Sequence, residues 1–597
     1  MAALYAPILL LPCTQKKQPL LPPSSSHSLS RLSHTRRRRG IVRATTSDPA
    51  RRSGNYHPTI WDDSYIQTLY VGFTEEDCLI RRNKLKEEVR HLIGEERGLV
   101  EQLELLDNLR QLGLSYHFEL EINDALRSIN SMENLNNDLE NNLHVTSLLF
   151  RLLREQGLHG SQLCLQDLVN NFKCEKANYN MNSEHDFKGM LSLYEASYLA
   201  VDGEDALDEA GEFAAKFLDK ATKGSSVNNI PDQLIKQIDH ALELPLHWRM
   251  PRLHTRWYID AYVTQDNSMD PILLELAKLD FNIVQSIYKN ELKEMSRWWR
   301  NLGIVCDKLD FARDRLVEHY LWAVGFCFEP KYWKFRKGTT QMNCFITTID
   351  DIYDVYGTLN ELELFTEMIN RWEFDALQSL PDYMKTCLTL LFNTVNEIAN
   401  TTSTKQGINV FPYLKRAWAD LCNAYLTEAR WYHTGYTPTL NEYLENAWIS
   451  ISGIFPLSFS YCLSGELTEE SLNNFDCYHD IVRYSCMLLR LYDDMATSED
   501  EMQRGDVPKS IQCYMKEKNV SESVARDYIK YLIKKYWKLL NKELATTNSI
   551  NLEPFKRVIT YIPRMAQCMY QHGDGHGDPN LDTRDRVISL LINPIKV

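Results

Sequence analysis

Features of β-structure are scarce in this 597-residue chain: alternating apolar and polar runs are few, and so are the residue pairs that make tight hairpins. That argues against a sheet protein. No run reaches the ~18 apolar residues a membrane-spanning helix needs. The fourteen cysteines form no CxxC pair, so neither a zinc site nor a dithiol centre is indicated. Free thiols in a reducing compartment fit this pattern.

Acidic residues are missing from one stretch only. Before Asp48 there is no Asp or Glu, while Lys16, Lys17, Arg31, Arg36 to Arg39 and Arg43 supply eight basic residues among clustered serines. A basic, Ser-rich, acid-poor leader over residues 1–50 reads as an organelle transit peptide. The apolar stretch Leu4 to Leu11 lacks a preceding charge and contains Pro7, which ranks a secretory signal below it. With eight basic residues and one acid the leader carries +7, so the body beyond it carries −22, against −15 for the whole chain. So acidic a body repels nucleic acid and anionic membranes, and neither is an expected partner.

What remains is helical. Apolar residues recur at three and four through Val100–Leu109 and Ile272–Ile287. The length exceeds one core, so two domains are expected, with a boundary in the polar stretch Gln265–Pro271. The predicted fold is all-α: residues 51–268 form an N-terminal helical domain and 269–597 a C-terminal one.

Two acidic clusters interrupt apolar helical runs in the C-terminal part. The first is Ile346-Thr-Thr-Ile-Asp350-Asp351-Ile-Tyr-Asp354; the second starts at Asp493-Asp494 and continues through Thr497 to Glu501. At ~3.6 residues per turn, Asp350 and Asp354 share one helix face, and Asp493, Thr497 and Glu501 share another. Oxygen-only ligation favours Mg²⁺ or Mn²⁺. Two such helices facing each other would cage a diphosphate through several metal ions. Asp351 points about a hundred degrees away, and Asp494, Glu499 and Asp500 are surplus acids expected to face water.

Asp350-Asp351-x-x-Asp354 resembles the aspartate-rich motif of class I terpene synthases, and Asp493-Asp494-x-x-Thr497-x-x-x-Glu501 is similar to their second metal motif. Arg51-Arg52 followed by Trp61, Arg313-Asp314-Arg315, Leu191 to Ser197 and Arg504-Gly505-Asp506 to Lys509 extend the likeness to plant monoterpene synthases of the angiosperm cyclase type. The resemblance implies a C-terminal catalytic α-bundle, an N-terminal relic domain without chemistry of its own, and a chloroplast location. It implies three Mg²⁺ ions, or Mn²⁺, on Asp350, Asp354, Asp493, Thr497 and Glu501. The implied substrate is geranyl diphosphate, ionised, isomerised to the linalyl form and then cyclised or captured by water, by a lyase; a monomer is the default expectation. No DxDD motif stands in the first half to start cyclisation by protonation.

Arg313, Arg315, Arg490 and Lys509 are the expected contacts for diphosphate oxygens, Arg through its planar fork and Lys as a point charge. Trp322, Tyr570 and Tyr492 are the expected aromatic faces for a carbocation. His576, in the Gly-rich run Tyr570–Gly577, is the expected terminating base on a capping loop. Arg51 and Arg52 imply an N-terminal strap over the site that assists isomerisation. Asn343, two turns before Asp350, is placed to line the cavity and orient a water or a cyclic cation, favouring a cyclic olefin or a terpene alcohol such as limonene or α-terpineol. Gly453 is expected to break a helix beside the substrate. Acyclic monoterpenes, a sesquiterpene synthase using farnesyl diphosphate, and a silent helical scaffold stand as alternatives.

Overall fold

The structure is a computed structural model. It describes residues 51–597 apart from 133–134, 136–138, 140–141, 159–167, 169–170, 173–182, 224–229, 265–268, 305–308, 465–467, 469, 471, 473–474, 476–478, 547–552 and 578–580. The leader and the heart of the expected domain boundary therefore lie outside the described residues. Arg51–Val597 forms one compact unit, helical throughout and without a strand among the described residues. The nine described cysteines are free thiols.

Helix boundaries follow local chemistry. Ser183 and Asp186 form a reciprocal capping box at the start of Glu184–Ser197. Asp270 accepts from the amides of Ile272 and Leu273 at the start of α1 (Pro271–Leu302), where Pro271 costs no hydrogen bond. Gly303 ends α1 in the left-handed conformation, φ 61°. The long α1 packs its buried stripe against the earlier helices Glu76–Gly94 and Pro251–Val263.

The cavity is built by helices after α1. α2 (Leu316–Phe326) is buried on all sides, as its nearly continuous apolar sequence requires. It packs on α3 (Trp333–Asp351), which passes directly into a π-helical turn, Ile352–Tyr356. α4 (Phe411–Thr434) and α5 (Leu440–Ser450) form the adjoining wall. α6 (Ile454–Leu463) follows α5 after a break at Ile451–Gly453. α7 (His479–Arg504) crosses the centre and packs against α5, α8 (Ser510–Lys518), α9 (Glu522–Thr546) and α10 (Phe555–Tyr570).

The break predicted at Gly453 is present. Ser452 takes φ 66°, and a Cβ on Gly453 would lie 2.9 Å from Cys486 Sγ on α7. Glycine there allows α6 to start hard against α7, and Pro456 falls in the first turn of the new helix, where it needs no kink.

Candidate active site

A cavity of about 1000 Å³, counting the space at its open mouth, lies between these helices. Its apolar part is lined by Trp322, Phe326, Ile346, Pro456 and Leu489. Its polar end gathers six carboxylates, Asp350, Asp354, Glu428, Asp493, Glu501 and Asp574, against three cations, Arg313, Arg490 and Lys509. The two expected metal motifs thus face one space from opposite walls, α3 and α7.

The first motif straddles the junction of α-helix and π-helix. Asp350 and Asp351 end α3, whereas Asp354 sits in the π turn. An ideal helix was the basis for placing Asp350 and Asp354 together; the wider turn keeps both on the cavity. Arg313 ties the junction, with Nη2 donating to Asp350 Oδ2 at 2.5 Å and Nε 2.9 Å from Asp351 Oδ1. Its backbone N–H donates to Asp351 Oδ2 at 2.8 Å. Asp351 is fully buried, and burial raises its carboxyl to about 6 although Arg313 opposes this. Both of its oxygens are turned to Arg313.

On α7, Asp493, Thr497 and Glu501 all line the cavity. Thr497 Oγ1 donates to the Asp493 carbonyl at 3.0 Å, which leaves its oxygen lone pairs for a ligand. Arg490 Nη1 donates to Asp493 Oδ2 at 2.9 Å, and Lys509 Nζ lies 3.7 Å from Glu501 Oε2. Burial pushes the carboxyls of Asp354, Asp493 and Glu501 upward. Asp350 adds to the rise at Asp354, while Arg490 and Lys509 oppose the rise at Asp493 and Glu501 respectively. Glu501 Oε2 is a buried oxygen without a hydrogen-bond donor. An excess of buried anions with an orphaned oxygen is the donor set that hard divalent cations satisfy, so these residues fit Mg²⁺ or Mn²⁺. No three His, Cys, Asp or Glu side chains among the described residues converge on one point as a closed cage.

Asp494 corrects an expectation. Placed on paper as a water-facing acid, it is fully buried and accepts from the Tyr443 hydroxyl at 2.9 Å, Arg490 Nη1 at 3.2 Å and the Ser510 amide at 3.1 Å. It fixes Arg490 and the start of α8 together. Glu499 is exposed as expected, and the Asp500 side chain lies outside the described residues.

Three of the expected charged site residues do not reach the cavity. Arg315 is buried, and its Nη2 donates to the carbonyls of His57 at 2.9 Å and Gly577 at 2.8 Å. It fastens the N-terminal strap to the C-terminal loop, so a direct diphosphate contact is not what the structure shows. Arg51 clasps Glu361 through both Nη atoms, at 2.5 and 2.8 Å, and donates to the Tyr356 carbonyl at 3.0 Å. Arg52 donates to the Asp354 carbonyl at 3.0 Å and to Asp506 Oδ1 at 3.1 Å, bridging the π turn and the segment after α7. These strap contacts meet the metal-bearing backbone from outside. Trp61 anchors the strap, its indole N–H donating to buried Glu318 at 2.9 Å. Tyr56 covers Arg313, whose guanidinium carbon is 4.7 Å from the ring centre.

Among the aromatic candidates, Trp322 and Tyr570 line the cavity with ring centroids 5.9 Å apart. Tyr492 does not; its hydroxyl accepts from Trp537 Nε1 at 2.9 Å, on the far side of α7. His576 lines the cavity, but Trp322 Nε1 donates to its Nδ1 at 3.3 Å, and its Nε2 is 3.4 Å from Thr347 Oγ1. Burial, helped by Arg313 and Arg315, lowers its pKa to about 3, so the ring is neutral with its proton on Nε2. Its Nδ1 lone pair faces the Trp322 indole N–H. Asp574 shapes this loop by accepting from the amides of His576 at 3.1 Å and Gly577 at 2.7 Å. Asn343 lines the cavity.

Glu428 is the site residue that sequence reasoning missed. Its signal was present: Trp418, Leu421, Cys422 and Tyr425 form the buried stripe of α4, and Glu428 continues that stripe with a charge.

Comparison with known proteins agrees with this geometry. Residues 301–539 match the terpene synthase family metal binding domain, and residues 60–242 match the terpene synthase N-terminal domain. The chain is 49% identical over 556 residues to "Monoterpene synthase 7, chloroplastic" of Hedychium coronarium, covering 92% of each. A limonene synthase solved with 2-fluorolinalyl diphosphate superposes with a TM-score of 0.85 at 41% identity, covering 92% of this chain and 100% of that one. An isoprene synthase of grey poplar (Populus x canescens), solved with three Mg²⁺ ions and dimethylallyl-S-thiolodiphosphate, gives 0.80 at 42% identity, covering 90% and 99%. With both domain signatures matched and two acidic helices facing one cavity, the chain belongs to the terpene synthase family.

Proposed function

We propose that this protein is a plastid monoterpene synthase, acting as a monomer, that ionises geranyl diphosphate and guides the cation to a cyclic olefin or terpene alcohol. The observation that carries this is the polarised cavity: carboxylates from α3 and α7 at one end, aromatic and aliphatic walls at the other. The location rests on the basic leader and on the chloroplastic relative. The division into residues 51–268 and 269–597 assigns the chemistry to the second part.

Asp350 and Asp354 on one wall and Asp493, Thr497 and Glu501 on the other would hold the divalent ions, three of them by likeness to the isoprene synthase complex. When bound, the ions neutralise the departing diphosphate. Arg490 and Lys509, fixed by Asp494 and Glu501, donate to its oxygens, and Arg313 is poised to do so from α3. Trp322 and Tyr570 present their faces to the cation. The strap, closed by Arg52 and Arg315, excludes water while the chain folds back for ring closure. A trans C2–C3 double bond cannot reach the ring-forming geometry, which is why isomerisation to the linalyl form comes first. Leu489 and Asn343, neither of them aromatic, leave the pocket deep enough for ten carbons.

The test uses protein beginning at Arg51, the start of the compact unit, with Mg²⁺ and either geranyl or farnesyl diphosphate. Chiral gas chromatography–mass spectrometry should show cyclic ten-carbon products from the first. Acyclic ten-carbon products alone would remove the cyclisation claim, and fifteen-carbon products alone would move the enzyme to the sesquiterpene class.

A further inference from the structure

We propose that His319 is a catalytic residue of this site: its imidazole takes the proton whose loss turns the cyclic cation into an olefin. The proposal deepens the reading above and rests on it.

His319 stands on α2 three residues before Trp322 and seven before Phe326, and all three line the cavity, so they form one stripe of that helix. The side chain is otherwise enclosed, with 2% of the residue exposed. Its ring lies beside that of His576, centroids 5.0 Å apart and planes at 47°. Among the described residues nothing hydrogen-bonds its ring nitrogens, so a neutral ring keeps its lone pair. Buried polar groups are normally satisfied, and one left open beside a cavity is available to whatever enters it. Residues three apart on a helix have Cβ atoms about 5–6 Å from each other. A cation resting on the face of Trp322 is therefore within reach of His319.

The surroundings keep the ring neutral. Burial holds it well below the ordinary histidine value, and His576, Arg313 and Arg315 push the same way. Such a ring is a weak base towards water, but a C–H next to a carbocation is a far stronger acid than an imidazolium. In the step proposed, that C–H bond breaks, its electron pair becomes the C=C bond of the olefin, and the proton moves to the imidazole lone pair. The imidazolium, disfavoured where it stands, then passes the proton to the diphosphate released at ionisation, and the neutral ring returns. The rival acceptors on this wall are less suited. His576 turns Nδ1 to the Trp322 indole N–H, and Asp574 already accepts from two amides. Asn343 and Thr347 offer amide and hydroxyl oxygens, which are weaker bases than an imidazole nitrogen.

His319→Gln keeps a polar side chain of similar reach and removes the basic nitrogen. Full-length wild type and variant are incubated with Mg²⁺ and geranyl diphosphate, and olefin, alcohol and released diphosphate are all quantified. The ratio of olefin to diphosphate does not depend on how fast either protein turns over. In the variant it should fall about tenfold or more, with water-captured alcohols rising in its place. A ratio within twofold of wild type overturns the proposal, and so does wild type that yields alcohols alone. His319→Ala with added imidazole gives a second reading, which also serves if the Gln variant does not fold. A severalfold recovery of olefin per diphosphate, with no effect of imidazole on wild type, supports the base, because restored packing alone needs no basic nitrogen and 1,3-cyclopentadiene-sized apolar additives such as cyclopentane should not produce it. No recovery, or equal recovery with cyclopentane, overturns the proposal. Wild type that releases no diphosphate from geranyl diphosphate overturns the reading of the site itself, and this proposal with it.

Discussion

Glu195 in the N-terminal helices and Asp493 in the cavity carry the same electrostatic signature. Burial raises each carboxyl to about 7, and arginine opposes the rise in both cases, Arg249 for Glu195 and Arg490 for Asp493. Their surroundings differ. Glu195 Oε2 accepts from the Leu246 amide at 2.7 Å, and its neighbourhood is closed by further pairs: Arg151 with Asp107 at 2.7 Å, Arg110 with Glu155 at 2.5 Å. There, cations and anions answer each other within the fold. Around Asp493 the acids outnumber the cations, and a cavity opens beside them. A perturbed carboxyl is therefore not by itself a mark of function. It becomes one where the protein leaves the charge unbalanced and supplies room for a ligand to balance it.

The sharpest way to break this comparison is to remove one of the unbalanced acids. Asp350→Ala should lower turnover by about 10³-fold or more while far-UV circular dichroism is unchanged, because its partner Arg313 keeps Asp351. Near-normal turnover would return the cavity acids to the same structural class as Glu195.

Arg52 tests the outer support of the same site. Its two contacts span the Asp354 carbonyl and Asp506, so Arg52→Ala should let the two walls drift and cost up to about 10²-fold in turnover. Products from geranyl diphosphate should move towards acyclic compounds, with cyclisation recovered on linalyl diphosphate. An unchanged product spectrum would leave the strap as packing alone.

His576 offers a smaller effect, read from pH. With its pKa near 3, the ring stays neutral from pH 5.5 to 8, so no limb of the kcat/KM profile should belong to it across that range. A limb near pH 6.5 that disappears in His576→Asn would restore the role of base.

How far these roles were legible depends on how local their causes are. The helical fold and the two metal faces come from spacing within one or two turns, and the structure agrees even though a π turn replaces the ideal helix at Asp354. Destinations of long side chains were not legible. Arg315 was expected on the diphosphate and Arg51 in a strap over the site, yet what they meet, Gly577 and Glu361, lies hundreds of residues away. Asp494 looked surplus because its partners Tyr443 and Ser510 belong to other helices. Glu428 was hidden for the opposite reason: a lone glutamate in a helix attracts no notice until the face it occupies proves to be a buried one.

The mildest change bears on the other side of the comparison. A glutamate whose folded pKa is near 7, against the ordinary 4.5, keeps a proton in the native state that the unfolded chain has already lost between those values. Native Glu195 therefore lowers stability progressively as pH rises from about 4.5 to about 7, and holds that cost above. Glu195 is only partly buried, and Arg249 offsets some of the penalty, which limits it to the order of 1–2 kcal/mol. Glu195→Gln keeps an acceptor for the Leu246 amide and has no proton to lose. Its melting temperature should match wild type at pH 4.5, exceed it by a degree or two at pH 8, and vary less with pH in between. Turnover should stay within twofold, because no substrate or ion is being balanced there. A turnover loss approaching that of Asp350→Ala would mean that the N-terminal network communicates with the cavity, and the separation of structural from functional buried charge in this fold would have to be redrawn.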